Sequence, residues 1–223
     1  MDKQKNAKGS VYFSYALLAF AGIGIELLLA FLLEPLIYGC QMNEWTTTQN
    51  ILHWIITCLC WGLVAYLLVK NAKKKYGFDV FANTEKAKPL RWVIVFILLA
   101  LMLIYSYYDW NGFKVAKEFL YNGWLKFIFQ YLYYIFEVVL VVLIIVFGQK
   151  AFETWFHKGN ETWIPYGGVL CGLTWGLGHI LTKGNLVFGI LLILISATYC
   201  LTYQLLNRNV KIAYWVIWLM FVL

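Results

Sequence analysis

Charge is scarce in this chain. Asp, Glu, Lys and Arg make up 13% of its 223 residues, against 62% hydrophobic, and mean hydropathy is +0.70. A soluble domain carries about a quarter of its residues as charges, so this composition excludes one and points to a polytopic membrane protein. Proline is also rare, three in all, so long helices can run uninterrupted. No Gly-rich phosphate loop follows a strand, and Gly-x-Ser-x-Gly, His-Glu-x-x-His and Cys-x-x-Cys are absent. Nucleotide-driven chemistry and the common hydrolase sites therefore have no footing here, and no cofactor is expected. The five cysteines, Cys40, Cys58, Cys60, Cys171 and Cys200, lie inside or at the edges of apolar runs. An odd, buried set is not a disulfide framework. Cys58 and Cys60 beside His53 would suggest a metal only in a strand; on a helix the two thiols diverge by about 200°, so no metal site is expected.

Aromatic residues are plentiful at 19%, with 11 Trp and 16 Tyr. Many sit near the ends of apolar runs, where amphipathic rings favour the headgroup zone. The runs are 13–38, 51–69, 92–108, 127–147, 166–181, 185–206 and a short 210–223. The last falls short of the roughly 20 residues a spanning helix needs. Residues 109–126 mix charges with Phe113, Phe119, Leu120 and Trp124, the pattern of an amphipathic interfacial segment.

The net charge of +7 comes from Lys and Arg in the connections, which suits orientation and anionic headgroups better than nucleic acid; no nucleic-acid module is present. The basic connection at 70–91 predicts a cytoplasmic loop, which places the N-terminus inside. The fold reads as an all-α polytopic transmembrane helical bundle of about seven spans. Residues 1–91 form the N-terminal membrane helices and basic loop, and 92–223 form the remaining helical region of one membrane unit.

Ionisable groups inside the apolar runs are functional-site hypotheses by default. They are Glu26, Glu137 and His179, with Glu34, His53, Gln149 and Glu153 nearer the edges. Glu34 and His53 are expected at one membrane depth, where they can pair or stand as unrelated interface residues. His179 ends the glycine-rich stretch 167–179. At 100° per residue Gly168, Gly172, Trp175, Gly176 and His179 share a face. Three glycines four apart form a small-xxx-small stripe that lets another helix approach beside His179. A histidine that only hydrogen-bonds a neighbouring helix is the plain alternative to chemistry.

From about Phe127 onward the chain resembles the CAAX protease and bacteriocin-processing family of intramembrane endopeptidases. Trp175-Gly-Leu-Gly-His179 is similar to the family's Phe-x-x-x-His signature, with Trp for Phe. Gly148-Gln149-Lys150-Ala151-Phe152-Glu153-Thr154 lies where the family carries Glu-Glu-x-x-x-Arg. The aromatic is kept, but the paired glutamates become Gly148 and Gln149, and Arg becomes Glu153. The family's later His-x-x-x-Asn or Asp has no counterpart after Asn209. The resemblance implies a protease-like protein of a bacterial cell membrane whose catalytic set is impaired, since an amide at Gln149 has no useful proton affinity. If it cuts, Glu153 or Glu137 is the expected base and His179 the water or oxyanion partner. Gln149, Trp175, Gly172 and Gly176 are expected to line the binding place of a peptide or membrane-protein segment. Two other readings stay open: a non-enzymatic immunity or regulatory protein, and a small-solute transporter subunit using Glu26 and Glu137.

Overall fold

A computed structural model describes residues 7–183 and 186–223. Residues 1–6 of the polar start expected at 1–12, and residues 184–185 of the connection expected at 182–185, lie outside the described residues. Seven helices stand where the seven apolar runs predict them. They are α1, Gly9–Tyr38; α2, Thr47–Tyr76; α3, Pro89–Asp109; α4, Lys114–Phe156; α5, residues 166–183; α6, Leu186–Leu205; and α7, Val210–Val222. Among the described residues there is no strand.

Local chemistry sets several ends. Thr46 caps α2 by accepting from the Gln49 N–H, and the Gln49 side chain accepts from the Thr46 N–H, a reciprocal box. Gly77, at φ 66°, closes α2 in the left-handed conformation, and Lys73, Lys74 and Lys75 oppose the negative end of its dipole. Pro89 opens α3, and the Asn209 side chain caps α7.

Helix α4 is the centre. Its stretch from Val138 to Phe147 is apolar on every face and almost wholly buried, as an all-round apolar helix must be. Helices α1, α2, α5 and α7 pack around it. Only Val95 of α3 is buried, so α3 is peripheral and its leucines and isoleucines face outward.

The segment 109–126, expected to be interfacial, holds the first part of α4, which begins at Lys114 and turns sharply at Gly123 (φ 69°, ψ 169°). That turn folds its first part back, so that Glu118 is buried and accepts from the hydroxyls of Tyr131 and Tyr134 at 3.0 and 2.7 Å. Among the described residues, four helices, α1 to α4, are long and apolar enough to cross a membrane. Helix α7 buries Ala213, Ile217 and Met220 and packs on α4.

Candidate functional site

The glycine stripe of α5 brings α6 to within backbone contact. A Cβ on Gly168 would lie 2.5 Å from the Ser196 carbonyl oxygen, and one on Gly172 would lie 2.5 Å from the Ile193 Cα. At Gly176 the nearest atom is the Leu192 Cβ, 3.1 Å away. The small-xxx-small reading is therefore realised as an α5–α6 seam. Gly172 and Gly176 line that seam and are covered by α6.

Gln149 and Glu153, one turn apart near the end of α4, face the connection that leads into α5. Gln149 uses both ends of its amide. Its Oε1 accepts from the Gly167 N–H at 2.9 Å and from the Cys200 thiol at 3.4 Å, and its Nε2 donates to Glu153 at 2.9 Å and to the Ile164 carbonyl at 3.0 Å. Glu153 is 1% exposed. Arg208 grips it in a fork, Nη1 to Oε2 at 2.9 Å and Nη2 to Oε1 at 2.6 Å. The Thr162 N–H adds a further donor at 3.1 Å. Arg208 sits at φ 57° and its neighbour Asn207 at φ 54°. Left-handed backbone costs a non-glycine residue about 1–2 kcal/mol. Here it aims Arg208 back at α4. Burial acts to lower the guanidinium's pKa, but the hydrogen bond and charge of Glu153 outweigh it and hold the group above its ordinary value.

Outward from this pair lies a polar cavity of about 450 Å³. Its lining includes Arg91, Arg208, Trp163 and Gln204 together with the carboxylates Glu85 and Glu161, and Glu161 lies 3.4 Å from the Arg208 Nε. The Arg91 guanidinium lies 5.1 Å over the Trp163 ring and donates to the Asn207 side chain. Gln204 donates to the carbonyls of Thr162 and Ile164 at 3.2 and 3.3 Å, while its buried Oε1 has no hydrogen-bond partner. Sequence reading missed Arg91, Gln204 and Arg208. One signal was there: Arg91 and Arg208 are the chain's only two arginines among 18 basic residues, and arginine is the side chain suited to forked, buried pairing.

Glu137 and His179 meet on one residue. The Trp175 indole N–H donates to Glu137 Oε1 at 3.0 Å, and His179 Nδ1 donates to the Trp175 carbonyl at 2.9 Å. The two rings sit edge-on with centroids 4.7 Å apart. Trp175 thus joins the two, while Glu153 belongs to the separate Arg208 network.

On the other side of α4, His53 of α2 pairs with Glu34 of α1, Nδ1 to Oε2 at 2.6 Å, with both residues buried. The possible pairing at equal depth is therefore present. Among the described residues no three His, Cys, Asp or Glu side chains converge as a metal site. No protein-family model, curated protein or solved structure matches the chain, so the CAAX-protease resemblance stands on the motif residues quoted above.

Proposed function

We propose that this chain is a protease-like integral membrane protein that binds a peptide or a membrane-protein segment without hydrolysing it, with the 70–91 connection on the cytoplasmic side. One observation carries the reading: Glu153 receives four hydrogen bonds from Arg208, Gln149 and Thr162. A general base needs a lone pair facing water or substrate, and this carboxylate has its lone pairs directed at donors. The positions resembling the family's paired glutamates hold Gly148 and Gln149, so Glu153 is the carboxylate left in that stretch, and its partners Arg208 and Thr162 line the polar cavity. A cavity of that size falls within the usual range for ligand sites. Gln204 Oε1 offers an acceptor, Arg91 a donor and Trp163 a flat face, a set suited to main-chain amides.

Hydrolysis from Glu137 and His179 is a second reading, favoured by their common attachment to Trp175. Both are tested on purified protein in lipid nanodiscs with a panel of fluorescent peptides, prenylated and unprenylated. Binding is read by anisotropy and cleavage by chromatography. The expected result is binding without cleavage, weakened about tenfold by Trp163→Ala or Gln204→Leu, roughly 1.4 kcal/mol, and untouched by His179→Ala. Cleavage that His179→Ala abolishes would establish the second reading. Failure of every peptide to bind would remove the first.

A further inference from the structure

Helix α1 contains one wide turn, Leu29–Leu33, in which the Glu34 N–H bonds back five residues to the Leu29 carbonyl. Its consequence is angular. Eight residues of regular α-helix leave Glu26 and Glu34 about 80° apart around the axis. A π turn absorbs one extra residue, so the effective advance is seven and the two carboxylates come within about 20°. The wide turn therefore sets both acids on the face that meets His53. Turns of this kind occur often at functional sites.

The three side chains are strung in a row. His53 is 1% exposed; its Nδ1 lies 2.6 Å from Glu34 Oε2, and its Nε2 lies 3.9 Å from Glu26 Oε1. His53 Nε2 and Glu34 Oε1 are both buried without a hydrogen-bond partner. The Glu26 side chain is 26% exposed, so it is the member that reaches outward. On α4, Tyr133 interacts with both Glu26 and Glu137, which carries the row to Trp175. Tyr38, at the end of α1, packs its ring 5.5 Å from that of Trp45, which lies 5.3 Å from the His53 ring, and Lys126 lies 6.0 Å over the ring of Trp54, the residue after His53.

With every acid ionised and His53 protonated, Glu26, Glu34 and Glu137 set three negative charges against one positive. Uncompensated charge at this depth costs several kcal/mol per group. A row of groups that does not converge as a metal site is neutralised most simply by protons held between its members.

We propose that Glu34, His53 and Glu26 form a proton-binding site between α1 and α2, loaded through Glu26 and continued by Tyr133 toward Glu137. The transfer balances within the row. Rotation of Glu26 closes the 3.9 Å gap; its O–H bond breaks as His53 Nε2–H forms, and His53 Nδ1–H breaks as Glu34 O–H forms. One proton moves from Glu26 to Glu34, and the imidazole ends in its other tautomer. The site is independent of the peptide-binding reading, because no residue is shared with the Arg208 cavity.

Solid-state NMR of the ¹⁵N-histidine-labelled chain in lipid bilayers tests this. The three rings are assigned with His157→Gln and His179→Gln. The expected result is a change in protonation of both His53 ring nitrogens between about pH 5 and 8, with Glu26→Gln displacing that transition by about one pH unit or more. A His53 ring fixed in one state across that range in the unaltered protein would overturn the proposal, and needs no variant to fold. An unmoved transition in Glu26→Gln, with the His157 and His179 signals unchanged, would overturn loading through Glu26.

Discussion

Arg208→Ala should be among the most damaging single substitutions outside the helices. Glu153 is 1% exposed and the Arg208 side chain 14%, so this is a buried pair. Removing one partner of such a pair costs about 3–5 kcal/mol, because a charge is left behind. The Gln149 amide and the Thr162 N–H stay at 2.9 and 3.1 Å, which places the loss near the lower end, about 3 kcal/mol. At roughly 2–4 °C per kcal/mol for a chain of this length, Tm should fall by about 6–12 °C. Arg208→Gly should fall by about 1 kcal/mol less, since glycine adopts φ 57° without the left-handed penalty. Replacing both partners, Arg208→Met with Glu153→Met, should recover most of the loss, because an apolar pair leaves no orphaned charge. The three variants are compared by thermal melts in detergent with a thiol-reactive dye, which reports unfolding through the buried Cys171 and Cys200. Because Arg208 is held above its ordinary value, its contribution is fully present below that value, and the loss should be the same at about pH 6 and pH 9. An Arg208→Ala melt within about 1 kcal/mol of the unaltered protein, or a double variant no better than the single one, would refute the argument.

The glycines separate packing from propensity. Gly172→Ala should destabilise by about 1–3 kcal/mol through collision with the Ile193 Cα. Gly178→Ala, with nothing within 4 Å of its Cβ, should be neutral or stabilise by up to about 1 kcal/mol; equal melts for the two would show that the α5–α6 seam is absent. Lys73 lies 2.7 Å from Asp79, and the Phe81 N–H lies 2.9 Å from it. First Lys73 and then Phe81 hold this carboxyl below its ordinary value, against a smaller opposing effect of burial. A lowered acid stabilises above its unfolded value, about 3.9, and loses that contribution as pH falls through the folded one. Asp79→Asn should therefore cost under about 1 kcal/mol at neutral pH and flatten the acid side of a melt-against-pH curve below about pH 4; an unchanged acid limb would count against the contact.

Period and composition made much of the fold legible. Each helix lies on the apolar run that announced it, because a run of that length in a membrane has no other way to satisfy its backbone. The Gly168, Gly172 and Gly176 stripe was readable as a close-approach face, since four-residue spacing repeats on one side of any α-helix. Equal depth was enough to make a Glu34–His53 pair conceivable, though not to select it over two unrelated side chains.

The rest depended on which faces meet. The wide turn at Leu29–Leu33 breaks the 100° rule used to read faces, so the alignment of Glu26 with Glu34 escapes any helical projection. Gly123 hides a fold-back inside one helix, because a single φ/ψ choice at glycine carries no hydrophobic signature. Arg208 reaches Glu153 across 55 residues, through two left-handed residues that no apolar pattern marks. Glu153 looked like an available carboxylate because sequence shows a group's chemistry and not its partners. Sequence by itself determined an apolar, helical chain, with helices long enough to cross a membrane and with acids and histidines inside its apolar runs. Tertiary structure alone decided that one acid is locked by an arginine, another held by a tryptophan and two more lined up on a single imidazole, because hydrogen bonds over a few ångströms are made between helices far apart in the chain.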